Sequence, residues 1–168
     1  MFDAVLSFWF KEIEPARWWQ VDAAFDALVG KRFGELLQKA AAGELHGWRK
    51  SARGRLAEII LLDQFSRNVH RNTPRAFAQD AMALALAQEA VAAGALADLD
   101  ATERTFLLMP YMHSESRVVH VQAESLVREF APADNFDFEL KHKAIVDRFG
   151  RYPHRNRILG RTSTAEEI

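Results

Sequence analysis

Thr73–Gly94 reads "TPRAFAQDAMALALAQEAVAAG". Thr-Pro at its head is an N-cap followed by a first-turn proline, and Gly94 is a C-terminal stop. Between them the stretch is alanine-rich, without proline, glycine or two-residue alternation, so it predicts a helix.

The same punctuation continues on either side. Val21–Ala42 carries Phe25, Leu28, Val29, Phe33, Leu36 and Leu37 at helical spacing, and Gly43 follows as a stop. Ser51 caps a predicted helix to about Phe65. Thr102 opens a short one that Pro110 should disturb. Ser114 or a near neighbour opens the next, which ends before Pro132. Asp134 or Asn135 caps another that stops at Gly150. Ser163 and Glu166 in "STAEE" form a capping-box pattern five residues before the last, Ile168. A helix is expected to start there, and hence a native tail beyond it. Short connections between such helices favour antiparallel hairpins. The expectation is one all-α domain over residues 1–168, with about seven or eight helices at typical helix lengths.

Composition narrows the function. The formal net charge is −1 and the pI is near 6.6. That balance disfavours a general nucleic-acid or membrane-surface binder. The absence of cysteine removes disulfides, thiolate nucleophiles and cysteine metal sites. The N-terminus has no basic region ahead of its apolar residues, and Asp3 interrupts them, so a cytoplasmic protein is expected.

Against that balance, Arg148–Arg161, "RFGRYPHRNRILGR", holds five arginines and no acid. It also echoes an earlier segment. Asp63–Asn72 and Asp147–Asn156 share D-x-F-x-R-x-x-H-R-N at an offset of 84, with Leu56 and Leu140 at the same offset. A duplicated helix and exit turn would account for the match. Both segments and "FLLMPYMHSES" (106–116) resemble the domain of unknown function 924 family. The resemblance runs from "FWF" near the start to the final "STAEE" and departs at Ser66, where the family often has proline. It implies a tetratricopeptide-like array of antiparallel helical hairpins and a chain that continues past the capping box. It carries no established reaction, so no catalytic role transfers.

Two candidate sites emerge. One is an arginine-rich ligand site: Arg67, Asn68, Arg71 and Arg75 from one segment, Arg151, Arg155 and Asn156 from the other. Guanidinium forks suit a carboxylate or phosphate, so the partner would be an anionic small molecule or an acidic peptide. Ion pairing with Glu58, Asp63 and Asp147 is the plainer account of any single arginine. The other site is the turn with His113 and Glu115, an acid–base pair or metal ligands, with a buried capping His113 and an arginine-paired Glu115 as the plainer account; His154 is a further acid–base candidate. Glu115 and Asp63 are the expected internal partners of the arginines.

Metal readings are weaker. Glu139 and His142 have E-x-x-H spacing, but a helical di-iron site needs two such motifs. His120 and Glu124, a turn apart, read as a solvent-facing pair. Trp9, Trp18, Trp19 and Trp48 could line a groove, though core packing suits indoles better. No phosphate-binding loop or G-x-S-x-G is present, and no cofactor or metal is expected. Two functions remain: first a binding or scaffold module with an anion or acidic-peptide groove, favoured because no complete catalytic constellation is visible, and as the alternative an enzyme acting on a small phosphorylated or carboxylated metabolite with His113 or His154 as acid–base. RNA binding with Tyr152 stacking is a third, disfavoured by the charge balance.

Overall fold

The structure, a computed structural model, describes residues 1–168 and is all-α, with no β-strand. Eight helices follow in order. Helix α1 is Phe2–Ser7 continued by a π-turn over Phe8–Glu12, and α2 is Ala23–Ala41. Helix α3 runs unbroken over 52–69: Ala52–Ile60, a π-bulge at Leu61–Phe65, then Ser66–Val69. Then come α4 (Asp80–Ala92), α5 (Ala101–His113), α6 (Arg117–Phe130), α7 (Ala133–Phe149) and the single turn α8 (Asn156–Leu159). No helix is long and apolar enough to cross a membrane.

Helix α3 is the axis. Residues 56–66 are all buried, and α1, α2, α4 and α5 pack around them. A helix buried on every side is a core helix, and its polar residues must find partners inside. Glu58 takes a two-pronged bond from Arg49 (2.8 and 2.7 Å). Phe65 meets Phe33 at 5.1 Å and Trp9 at 5.4 Å between ring centroids, locking α3 to α1 and α2. Helices α5, α6 and α7 then stack in sequence, joined by short turns.

Several caps differ from expectation. Thr73 does not cap a long helix. Its hydroxyl donates to the His70 carbonyl, and Pro74–Phe77 makes only a 3-10 turn. Helix α4 starts later, at Asp80. Helix α5 starts with a full capping box from Asp100 and Glu103, and it continues through Pro110 to His113. Ser116 caps α6, and Pro132 precedes α7. The "STAEE" segment makes a turn instead of a helix, and it is Glu167, not Glu166, that accepts the amide three residues back, from Thr164 at 2.8 Å.

The echoed segments share their helices but not their exits. At the matched position Ser66 keeps α3 helical to Val69, while Gly150 adopts φ 72° and ends α7. Everything downstream diverges. Asn72 sits exposed at φ 62°, whereas Asn156 is buried and opens α8. Asp63 is buried, but Asp147 lies at the surface and pairs with Lys143. The match therefore does not produce two equivalent half-sites.

Gly54, at the start of α3, lets the 46–50 turn pass close by. A Cβ there would overlap the Trp48 carbonyl oxygen. Gly34, within α2, has open space around it. Gly54→Ala should lower stability by about 1–3 kcal/mol, the usual range for overpacking. Gly34→Ala should raise it by about 0.5–1 kcal/mol through the helix-propensity gain. Urea denaturation of both variants checks the pair.

Candidate functional site

The π-bulge places Asp63 inside the core, facing the last residue of α5. His113 Nδ1 lies 2.7 Å from Asp63 Oδ1. Gln64 Nε2 donates to the other carboxylate oxygen at 2.8 Å, and Arg67 Nη1 stands 3.5 Å from Oδ1 while donating to the Asp63 carbonyl at 2.9 Å. Burial alone would raise the Asp63 pKa; His113, Arg67 and the Gln64 amide outweigh it and hold the carboxyl down to about 2. An ionised carboxylate only accepts, so Nδ1 carries the imidazole proton. Burial, then the nearby Arg67, push His113 below its ordinary value against the opposing pull of Asp63. The ring is neutral at pH 7, and no protein group bonds its Nε2.

Arg67 also forks onto Asp80 at 2.9 and 3.0 Å. Arg155 approaches the same acid from the C-terminal loop, with Nη1 3.5 Å from Asp80 Oδ2. Its guanidinium lies over the rings of Phe77 (4.6 Å) and Tyr152 (4.8 Å), and its Nη2 donates to the His113 carbonyl at 2.9 Å. Arg155 is buried with no partner for Nε, and burial followed by Arg67 lowers its pKa. A cleft of about 410 Å³ opens here, with His113, Asp80, Glu115 and Arg155 as its ionisable groups and Phe77, Leu84 and Pro110 among its apolar walls.

Glu115 does not touch His113 through its carboxylate. It accepts the Tyr152 amide at 2.7 Å and both prongs of Arg161 at 2.9 Å. These partners hold its pKa down against burial. His154 is exposed and packs on Tyr152 with no carboxylate partner. Of the predicted anion ligands, only Arg67 and Arg155 meet. Asn68 and Arg71 turn away to Asp26, at 2.8 Å and at 2.5 and 3.0 Å. Arg151 and Asn156 bind Glu167, Arg151 through two bonds of 2.8 Å and Asn156 at 3.2 Å. Arg75 is exposed and makes no ion pair.

Sequence reading named Asp63 as an arginine partner but missed its bond to His113. It missed Asp80, Asp26 and Glu167, whose only signal was that acids must answer the arginines. It placed His120 in solvent, yet His120 is fully buried, 2.6 Å from Glu139 and 2.7 Å from the Ser114 carbonyl. Glu139 thus points inward, while His142 bonds the Phe138 carbonyl, so the E-x-x-H pair diverges. Trp9 is core, Trp18 is half-buried, donating to the Trp9 carbonyl, and Trp48 sits edge-on against Phe2; Trp19 alone of the four stays largely exposed.

A profile of the family described as "Bacterial protein of unknown function (DUF924)" matches residues 5–168. A solved structure, of the protein of unknown function ATU0120 from Agrobacterium tumefaciens, superposes with a TM-score of 0.93. The two are 36% identical, over 99% of this chain and 93% of that one. No curated protein matches the chain.

Asp63→Ala should cost about 3 kcal/mol, because it strands His113 and part of Arg67 inside. Asp147→Ala, at the matched position, should stay within about 0.5 kcal/mol. The Asp63 pKa is depressed from 3.8, so its contribution is complete above that value and fades as pH falls towards about 2. Asp63→Asn should therefore flatten the acid limb of a stability-against-pH curve measured by urea melts.

Proposed function

The chain belongs to the DUF924 family, and for it we propose an enzyme that uses His113 as general base on a small substrate whose carboxylate or phosphate is held at Arg155. The observation that carries this reading is the His113–Asp63 bond of 2.7 Å behind a ring whose other nitrogen has no protein partner. Asp63 would hold the tautomer that leaves Nε2 as a base, then stabilise the imidazolium once a proton arrives. Arg67 opposes that cation, so the proton is readily released again. Arg155 offers the anchor: Nη1 is beyond good hydrogen-bond length from Asp80, and the charge is poorly answered by its surroundings. Phe77 and Tyr152 fix the guanidinium plane.

The acidic-peptide module ranks behind this reading. Arg71, Arg151 and Arg161 are already engaged by Asp26, Glu167 and Glu115, which leaves too few free cations for a run of acidic side chains.

The base assignment predicts the titration of His113, followed by NMR of its ring proton. Its midpoint should lie below 6.5. Asp63→Asn removes an opposing anion and should lower it further; Arg67→Gln removes a repelling cation and should raise it. A midpoint unmoved by either change would rule out the dyad.

The anchor is tested by thermal melting with phosphate or citrate. These anions should raise the wild-type midpoint and that of Arg71→Gln, and should leave Arg155→Gln where it was. No response in the wild type defeats the Arg155 assignment.

A further inference from the structure

His113 is the common wall of two clefts. The second, about 390 Å³, lies on the α5–α7 side. Its apolar walls are Trp19, Phe138, Met109 and Met112, and its polar residues are His113, Asn135 and His142. Trp19 and Phe138 are 61% and 53% exposed; Trp19 stacks one face on the core residue Phe106, 5.9 Å between ring centroids, and keeps the rest of its surface open. Two such rings beside a concave, methionine-lined space suit a flat apolar ligand.

Two polar residues of this cleft, Asn135 and His142, leave acceptors. Thr105 Oγ1 donates its proton to the Ala101 carbonyl at 3.1 Å, so it can only accept from Asn135. That fixes Asn135 Nδ2 towards Thr105 at 2.9 Å and frees Oδ1. His142 Nδ1 faces the Phe138 carbonyl at 2.7 Å and must donate, which leaves Nε2 a lone pair in the neutral ring. His113 borders the space as well, but its one free nitrogen is the proposed base of the first cleft and is not counted as an acceptor here. No carboxylate or arginine lines the space; Lys141 Nζ stands over the Phe138 ring, 5.4 Å from its centroid, and is not itself part of the lining.

We propose that this second cleft binds an aromatic ring system bearing a hydroxyl or amino group, whose O–H or N–H donates to these acceptors. Trp19 and Phe138 sandwich or flank the ring, and the methionine side chains fill in around it. An anionic group is rejected, because lone pairs would face lone pairs. A ring without a donor loses affinity, because it leaves Asn135 and His142 unpaired once water is displaced. The inference goes beyond the Arg155 anion site: it concerns a different cleft and needs no anion there.

The test uses 2-naphthol, 2-naphthylamine, 2-naphthoate and naphthalene, with binding followed by tryptophan fluorescence and by amide NMR. Naphthol and naphthylamine should bind, shifting the Asn135 side-chain amide and the His142 ring. Naphthoate and naphthalene should bind at least about ten-fold more weakly, the penalty for unpaired or opposed acceptors. Phe138→Ala, a half-exposed change that spares the core, and His142→Phe should each weaken naphthol. Arg155→Gln should leave naphthol affinity unchanged, even if it abolishes the response to phosphate. Equal binding of all four compounds, shifts confined to other surfaces, or no binding by naphthol would each overturn the proposal.

Discussion

Asp63 is a carboxylate in the middle of a helix that has no wet side. Moving such a charge from water into a protein interior costs several kcal/mol after relaxation, so it persists only if charge and hydrogen bonds converge on it. That need shapes the neighbourhood. His113 is brought from α5, and Gln64 and Arg67 come from the next residues of α3. Arg67 is itself mostly buried and cannot be answered by Asp63 alone, so Asp80 opens α4 beside it. Arg155 then comes to the far side of Asp80. Each compensation introduces the next charge, and the sequence of partners ends at the C-terminal loop.

The loop's own positive charge is explained in the same terms. Arg151 is clamped by Glu167, Arg161 by Glu115, and Arg148 by Glu166, so the acids that the segment lacks are provided from outside it. Gly150 turns the chain out of α7, and Tyr152 enters the core, where its hydroxyl donates to the Met112 carbonyl. The hydrogen bond from Tyr152 N to Glu115 then ties the loop to the α5–α6 turn. The result is an ordered strap across the end of the site. Arg148, Arg151 and Arg161 are structural partners, Arg157 is exposed without an ion pair, and Arg155 is the buried member left incompletely paired.

The helices were legible because each is written locally, in spacing, caps and glycines. The failures are where a tertiary contact overrides a local signal. Thr73-Pro74 is a sound helix start, yet the chain makes only a 3-10 turn, and Asp80, which meets Arg67, stands where the helix actually begins. The echoed motif was legible as letters, but one position, Ser66 against Gly150, sends the two exits along different paths. The site was half legible. His113, Arg67, Arg155 and Asp63 were all visible as candidates. That His113 takes Asp63 and leaves Glu115 to Arg161 depends on a π-bulge that no residue pattern announces.

Two histidines in this fold stand beside a carboxylate, and the difference between them separates chemistry from architecture. His120 has Glu139 on one nitrogen and the Ser114 carbonyl on the other, with the Tyr152 hydroxyl at 3.1 Å as well. Both nitrogens face acceptors of the protein, so neither is free for a ligand. It is fully buried and serves to pin the turn that carries His113 and Glu115. His113 has the same kind of carboxylate behind it, but nothing from the protein meets its second nitrogen, and the residue lines both clefts. A carboxylate-oriented imidazole with a second nitrogen free of protein partners is what the proposed general base requires.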